Sequence, residues 1–214
     1  RNIFRIAIPS GVENGMFHFG RLILFSLIST FGTASITANA IGNTLASFQV
    51  VPGTALGLAI VTVVSRCAGA SEYDRARYYT KKMMRTAYLY TVLVIALILA
   101  CLPLILKLYN VSDQAREWAT QILWMHGLCG ILIWPLAFTL PQALRAAGDT
   151  RFTMVASTVS MWTLRVGLGV LLGRYWGFGV LGIWMAMFAD WALRAALFVP
   201  RFHGHKWETM GLEN

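Results

Sequence analysis

Apolar residues run together along this chain in six long blocks, at 6–31, 38–64, 88–106, 119–140, 152–172 and 178–199. A helix needs about 20 apolar residues to cross a bilayer core of roughly 30 Å, and each block reaches that length. Lipid offers no partner to a backbone N–H or C=O group. Each block is therefore expected to close its hydrogen bonds internally, as a helix. A soluble bundle would need a polar stripe along every helix. The block at 88–106, YLYTVLVIALILACLPLIL, carries no charge on any face. The expected fold class is an all-α membrane protein, a six-transmembrane-helix bundle.

The connections are short and polar. The longest, 67–87, is expected to be a basic cytoplasmic loop, and 203–214 a cytoplasmic tail. None is large enough to hold a catalytic domain, so function is expected within the bundle. Ser112-Asp113 is a candidate N-cap before Arg116. Pro52 lacks the N–H that a helix interior needs, so it should kink the second span, and Gly53 with Gly57 would let a neighbour approach closely. Pro9, Pro52 and Gly53 are the candidate hinge positions.

Composition agrees with a membrane protein. The chain is 57% hydrophobic and 13% charged, where soluble domains carry about 25% charged residues. Its net charge of +9 is unevenly spread. With the N-terminus inside, the inner segments hold Arg1, Arg5, Arg66, Arg75, Arg77, Lys81, Lys82, Arg85, Arg145, Arg151, Arg201 and Lys206, and the outer ones only Lys107, Arg116 and Arg174. That asymmetry follows the positive-inside rule and sets both termini in the cytoplasm. The 75–85 cluster suits anionic headgroups, and no nucleic-acid motif accompanies it. Cys67, Cys101 and Cys129 fit no metal spacing and read as packing residues. The chain starts at Arg1, almost inside a span, which suggests a piece of something longer.

Charges within apolar blocks are costly and mark ion or proton paths or helix-locking pairs. The first block holds Glu13, Asn14, His18 and Arg21. Glu13 is the candidate coupling carboxylate, with a Na⁺ ion or a proton; His18 and Arg21 are its candidate partners. Arg165, Asp190 and Arg194 form a candidate buried charge network, Asp190 and Arg194 standing at the i, i+4 spacing where side chains meet. Asn39, Asn43 and Ser47 share one helix face. Asn14, Asn39, Asn43, Gln49, Met161 and Trp162 are candidate cavity residues, the last two suited to flat aromatic cations. No soluble-enzyme motif is present, so an enzyme is not the expected reading.

The segments IPSGVENGMF, FGTASITANAIGN, PGTALGLAIVTVVSRCAGA, PQALRAAGDTRF, SMW before Arg165 and WMAMFADWALR occur in this order across nearly the whole chain. In that order the chain resembles the C-terminal lobe of the MATE (multidrug and toxic compound extrusion) transporters of the DinF/NorM-like bacterial kind. The resemblance implies one six-helix lobe of a twelve-helix antiporter, lying in the bacterial inner membrane and facing a missing N-terminal lobe. It implies exchange of H⁺ or Na⁺ for cationic or aromatic drugs by alternating access, with no cofactor. Sodium-coupled relatives carry acids on the first and fourth spans of this lobe. Here Phe17 stands at the first position and the fourth block has no acid. Two other readings fit a membrane bundle: a lipid-linked oligosaccharide flippase, which would use Arg21, Arg165 and Arg194, and a non-transporting scaffold or partner subunit.

Overall fold

The computed structural model describes residues 2–209, with side chains from Gly11 onward except that of Glu13. It is helical throughout, with no strand among the described residues. The helices are α1 (Asn2–Ser29), α2 (Thr33–Gln49), α3 (Val51–Gly69), α4 (Tyr73–Leu108), α5 (Asp113–Leu132), α6 (Leu140–Ala146), α7 (Thr150–Ser160), α8 (Gly179–His203) and the short α9 (Lys206–Thr209). Wide π-helical turns fill Pro135–Thr139, Met161–Leu168 and Leu171–Tyr175.

Four stretches among the described residues are long and apolar enough to cross a bilayer: Val51–Gly69, Tyr73–Leu108, Thr150–Tyr175 and Gly179–His203. Asp113–Leu132 with Pro135–Ala146, bent by 60°, makes a fifth. The outward surface agrees with lipid as the solvent. Leu58, Leu97, Leu104 and Leu132 are each 64–67% exposed, where water would penalise such a surface.

Three features depart from the sequence expectation. The second apolar block is two helices rather than one kinked helix. The break falls at Val50, and Pro52 sits in the first turn of α3, where its missing N–H costs nothing. The segment expected as a basic loop is a tight turn at Ala70–Glu72, after which α4 runs for 36 residues. Arg75, Arg77, Lys81, Lys82 and Arg85 therefore ride on helix. The fourth block bends at Ile133, just before Pro135, which can neither donate to the ladder nor accommodate a straight helix behind it.

Two apolar cores hold the bundle. One joins α1, α2, α5 and α8 through Leu24, Ile41, Ile122, Trp184 and Trp191. The other joins α3, α4, α6, α8 and α9 through Ile60, Val64, Met84, Leu144, Phe198 and Trp207. Close helix approach depends on glycine at several places, Gly53 and Gly182 among them. The Trp134 ring occupies the space a Cβ on Gly53 would take, and a Cβ on Gly182 would lie 2.8 Å from the Leu172 carbonyl carbon. Ser112 caps α5, its Oγ accepting from the Ala115 N–H at 3.3 Å.

The LRAAGDTRF segment closes the α6–α7 corner. Gly148 takes φ +100°, a left-handed turn suited to glycine. That turn delivers Asp149 to Arg201 of α8, whose Nε lies 2.6 Å from Oδ2.

Candidate functional site

Two clefts open along α1. The first is about 80 Å³ and is walled by Arg21 and Phe25 of α1, Asn39 and Asn43 of α2, Arg165 of the 161–168 turn, and Trp184 of α8. The second is about 230 Å³ and is walled by Asn14 and Phe17 of α1, Gly53 of α3, Trp134 and Phe138 at the α5 bend, and Arg194 of α8. Met161, 1% exposed, lies at the back of the second cleft.

The π-helical turn at Met161–Leu168 brings Arg165 into the first cleft. Such turns add a residue per turn and recur at functional sites.

Asp190 lies between the clefts, fully buried. Its Oδ1 accepts from Arg194 Nε at 2.9 Å and from the Ser160 hydroxyl. Arg194 also donates to the Ser157 carbonyl at 3.1 Å, which ties α8 to α7. Arg165 approaches the same carboxylate only to 3.8 Å, from NH1 to Oδ2. Its NH2 donates to the Met187 thioether at 3.1 Å. Phe17 bridges the two arginines, its ring 5.2 Å from the Arg165 guanidinium and 6.0 Å from that of Arg194.

The polar face of α2 divides. Asn43 donates to the Asn39 side-chain oxygen at 3.0 Å, and the Trp184 indole N–H donates to the same oxygen at 3.1 Å. Both asparagines line the first cleft, whereas Ser47 is exposed. Gln49 lies away from both clefts: it is fully buried and hydrogen-bonded to His126, which Trp184, Phe188 and Trp191 surround edge-on. Trp162 lines neither cleft; it is half-buried against Phe19. His18 is exposed, its ring edge-on to Phe17. Pro52 borders a separate apolar groove with Leu45 and Phe48. The side chains of Glu13 and Pro9 lie outside the described residues. Among those described, no three His, Cys, Asp or Glu side chains converge. Cys67, Cys101 and Cys129 are unpaired and half-buried.

The residues that sequence reasoning missed are Phe17, Trp134 and Phe138. Trp134 and Phe138 stack with centroids 5.2 Å apart, and the Arg194 guanidinium lies 5.3 Å from the Phe138 ring. Their i, i+4 spacing was visible, but the bend that aims them into a cleft was not.

The MatE family profile matches residues 9–171, well over half of the chain. The chain belongs to the MatE family. A probable multidrug resistance protein NorM of Thermotoga maritima is 25% identical over 208 residues, covering 97% of this chain and 45% of that protein. Another, of Deinococcus radiodurans, is 31% identical, covering 94% of this chain and 46% of its own length. The fold matches that of the eukaryotic MATE transporter AtDTX14 with a TM-score of 0.83 at 18% identity, over 99% of this chain and 48% of that one. The chain thus spans a little under half the length of these relatives, as one lobe of a MatE transporter would. The family consists of secondary transporters rather than enzymes.

Proposed function

We propose that this chain is the C-terminal lobe of a secondary active multidrug exporter, which exchanges H⁺ or Na⁺ for aromatic or cationic drugs by alternating access. The observation that carries the reading is the second cleft. Phe17, Trp134, Phe138 and Met161 offer rings and a soft thioether, and Ser157 and Thr158 add polar contacts. Its volume of about 230 Å³ falls short of the roughly 300 Å³ at which drug-sized sites begin. A facing N-terminal lobe would supply the other wall. Family membership and the multidrug resistance relatives support the same conclusion.

Glu13 is the proposed coupling residue. A carboxylate that holds either the ion or the substrate makes exchange obligatory, because each ligand shifts the conformational equilibrium only through its differential affinity for the two states. The positive-inside asymmetry supports cytoplasmic termini in a bacterial inner membrane.

The test is ethidium efflux from vesicles containing the protein expressed from its whole coding frame, under imposed Na⁺ or H⁺ gradients. Gradient-dependent efflux, lost in Glu13→Gln, is expected. A Glu13→Gln variant that pumps like wild type removes Glu13 from the mechanism. Absence of flux for every dye, together with stable association with another membrane protein, would favour the scaffold reading.

A further inference from the structure

The first cleft is built for negative charge. Arg21 and Arg165 line it, Arg194 shares a carboxylate with Arg165, and that carboxylate is Asp190. Asp190 is shared between two arginines. Its Oδ1 is held by Arg194 and Ser160; its Oδ2 has no hydrogen bond, and Arg165 pairs with it only at 3.8 Å, beyond hydrogen-bond reach.

Arg165 is therefore undersatisfied. Its Nε is buried with no hydrogen-bond partner, and NH2 has only the weakly accepting Met187 sulfur. Arg21, exposed at the cleft, forms no ion pair among the described residues. Among the described residues Asp190 is the one carboxylate paired with Arg165 and Arg194, and Arg21 has none, so the cleft keeps an excess of positive charge that calls for a counter-charge. Guanidinium forks match the oxygens of carboxylate, sulfonate and phosphate groups. At about 80 Å³ the cleft has room for several waters or one such group, not for a whole drug.

We propose that the cleft between Arg21 and Arg165 is a subsite for an anionic group of an aromatic substrate. The acid end sits between the two guanidiniums, beside Asn43. The ring lies toward Phe17 and the second cleft. This rests on reading the α1 face as the substrate path, and it adds aromatic acids and zwitterions to the substrates that path would take.

The experiment is isothermal titration calorimetry on the protein from its whole coding frame, in phosphatidylcholine nanodiscs. The probes are 2-naphthalenesulfonate and the similarly sized cation N-methylquinolinium. Wild type is expected to bind the sulfonate. Arg165→Gln should weaken sulfonate binding about tenfold or more and leave the cation within twofold; Arg165→Lys should fall between. Arg21→Gln, at an exposed position, carries the test if Arg165→Gln fails to fold. Nanodiscs containing phosphatidylglycerol separate two sources of the same chemistry. Lipid competition with the sulfonate would identify a headgroup as an occupant of the subsite, and its absence would leave soluble acids.

The proposal is overturned if wild type does not bind the sulfonate, or if Arg21→Gln and Arg165→Gln leave sulfonate affinity unchanged. Sulfonate binding with no gradient-driven export would sink the exporter reading and spare the subsite. Export with arginine-independent sulfonate binding would do the reverse.

Discussion

Arg194 closes on Asp190 at 2.9 Å, one helical turn away on α8, and its NH2 reaches on to the Ser157 carbonyl of α7. The pair is inside the protein, with Asp190 at 0% and Arg194 at 4% side-chain exposure. A buried pair of this kind adds little net stability, but removing one partner strands the other. Asp190→Asn should therefore destabilise the lobe by about 3–5 kcal/mol, read as a lower thermal midpoint in detergent. An unchanged midpoint would show that Arg194 finds another partner or water.

Gln49 and His126 make a different kind of polar contact, 77 residues apart and sealed among aromatic rings. Gln49→Leu alone should cost about 1–3 kcal/mol, because it leaves the ring nitrogen buried without a partner. Changing both residues to Leu should recover most of that loss, since no polar group is left stranded. Additive losses in the double variant would mean that the contact is not the reason for the cost.

Gly182 packs α8 against the π-helical turns of the preceding span. Its missing Cβ leaves the Leu172 carbonyl carbon at 2.8 Å from where that atom would be. Backbone yields less readily than the end of a flexible side chain. Gly182→Ala should cost about 1–3 kcal/mol, whereas Gly177→Asn, in an open turn with φ +74°, should be tolerated. Equal midpoints for the two variants would contradict the packing argument.

The C-terminal helix α9 is latched to α4. Trp207 is fully buried, stacked on Phe202 and edge-on to Tyr73, and Glu208 pairs with Arg77. Burial pushes the Glu208 carboxyl up, but hydrogen bonds from His205 and Arg77 and the Arg77 charge outweigh it and hold the group below its ordinary value. A depressed carboxylate stabilises the folded state above its unfolded pKa and loses that contribution as pH falls through the folded value. The latch should hold at neutral pH and loosen in acid. Glu208→Gln at pH 7 should mimic the acid state, with faster amide exchange over residues 204–209 than in wild type. Identical exchange would show that Trp207 alone secures the helix.

Much of this arrangement could be read from residue order. The apolar blocks announced helices, and the i, i+4 spacing of Asp190 and Arg194 announced their contact. Pro52 announced an interruption, although the chain breaks at Val50 because a proline is better tolerated in a first turn than in a kink. Helix direction after Pro135 was not legible, since a bend of 60° depends on what α6 packs against. The Gln49–His126 contact was hidden for the same reason: Gln49 looked suited to a cavity until tertiary packing paired it with His126. The wide turns near Arg165 have no local sequence signature, yet they decide that Arg165 faces a cleft and stops short of Asp190.

The central claim is that the α1 face lines a path that opens and closes under an ion gradient. Asn43 is half-buried and lines the first cleft, which makes it a direct reporter. With Cys67, Cys101 and Cys129 changed to Ala, an Asn43→Cys variant of the protein from its whole coding frame would be labelled in vesicles with a membrane-impermeant maleimide. The account predicts that imposing a Na⁺ or H⁺ gradient changes the labelling rate severalfold, and that excess substrate changes it again. A labelling rate indifferent to both gradient and substrate would contradict alternating access at this face.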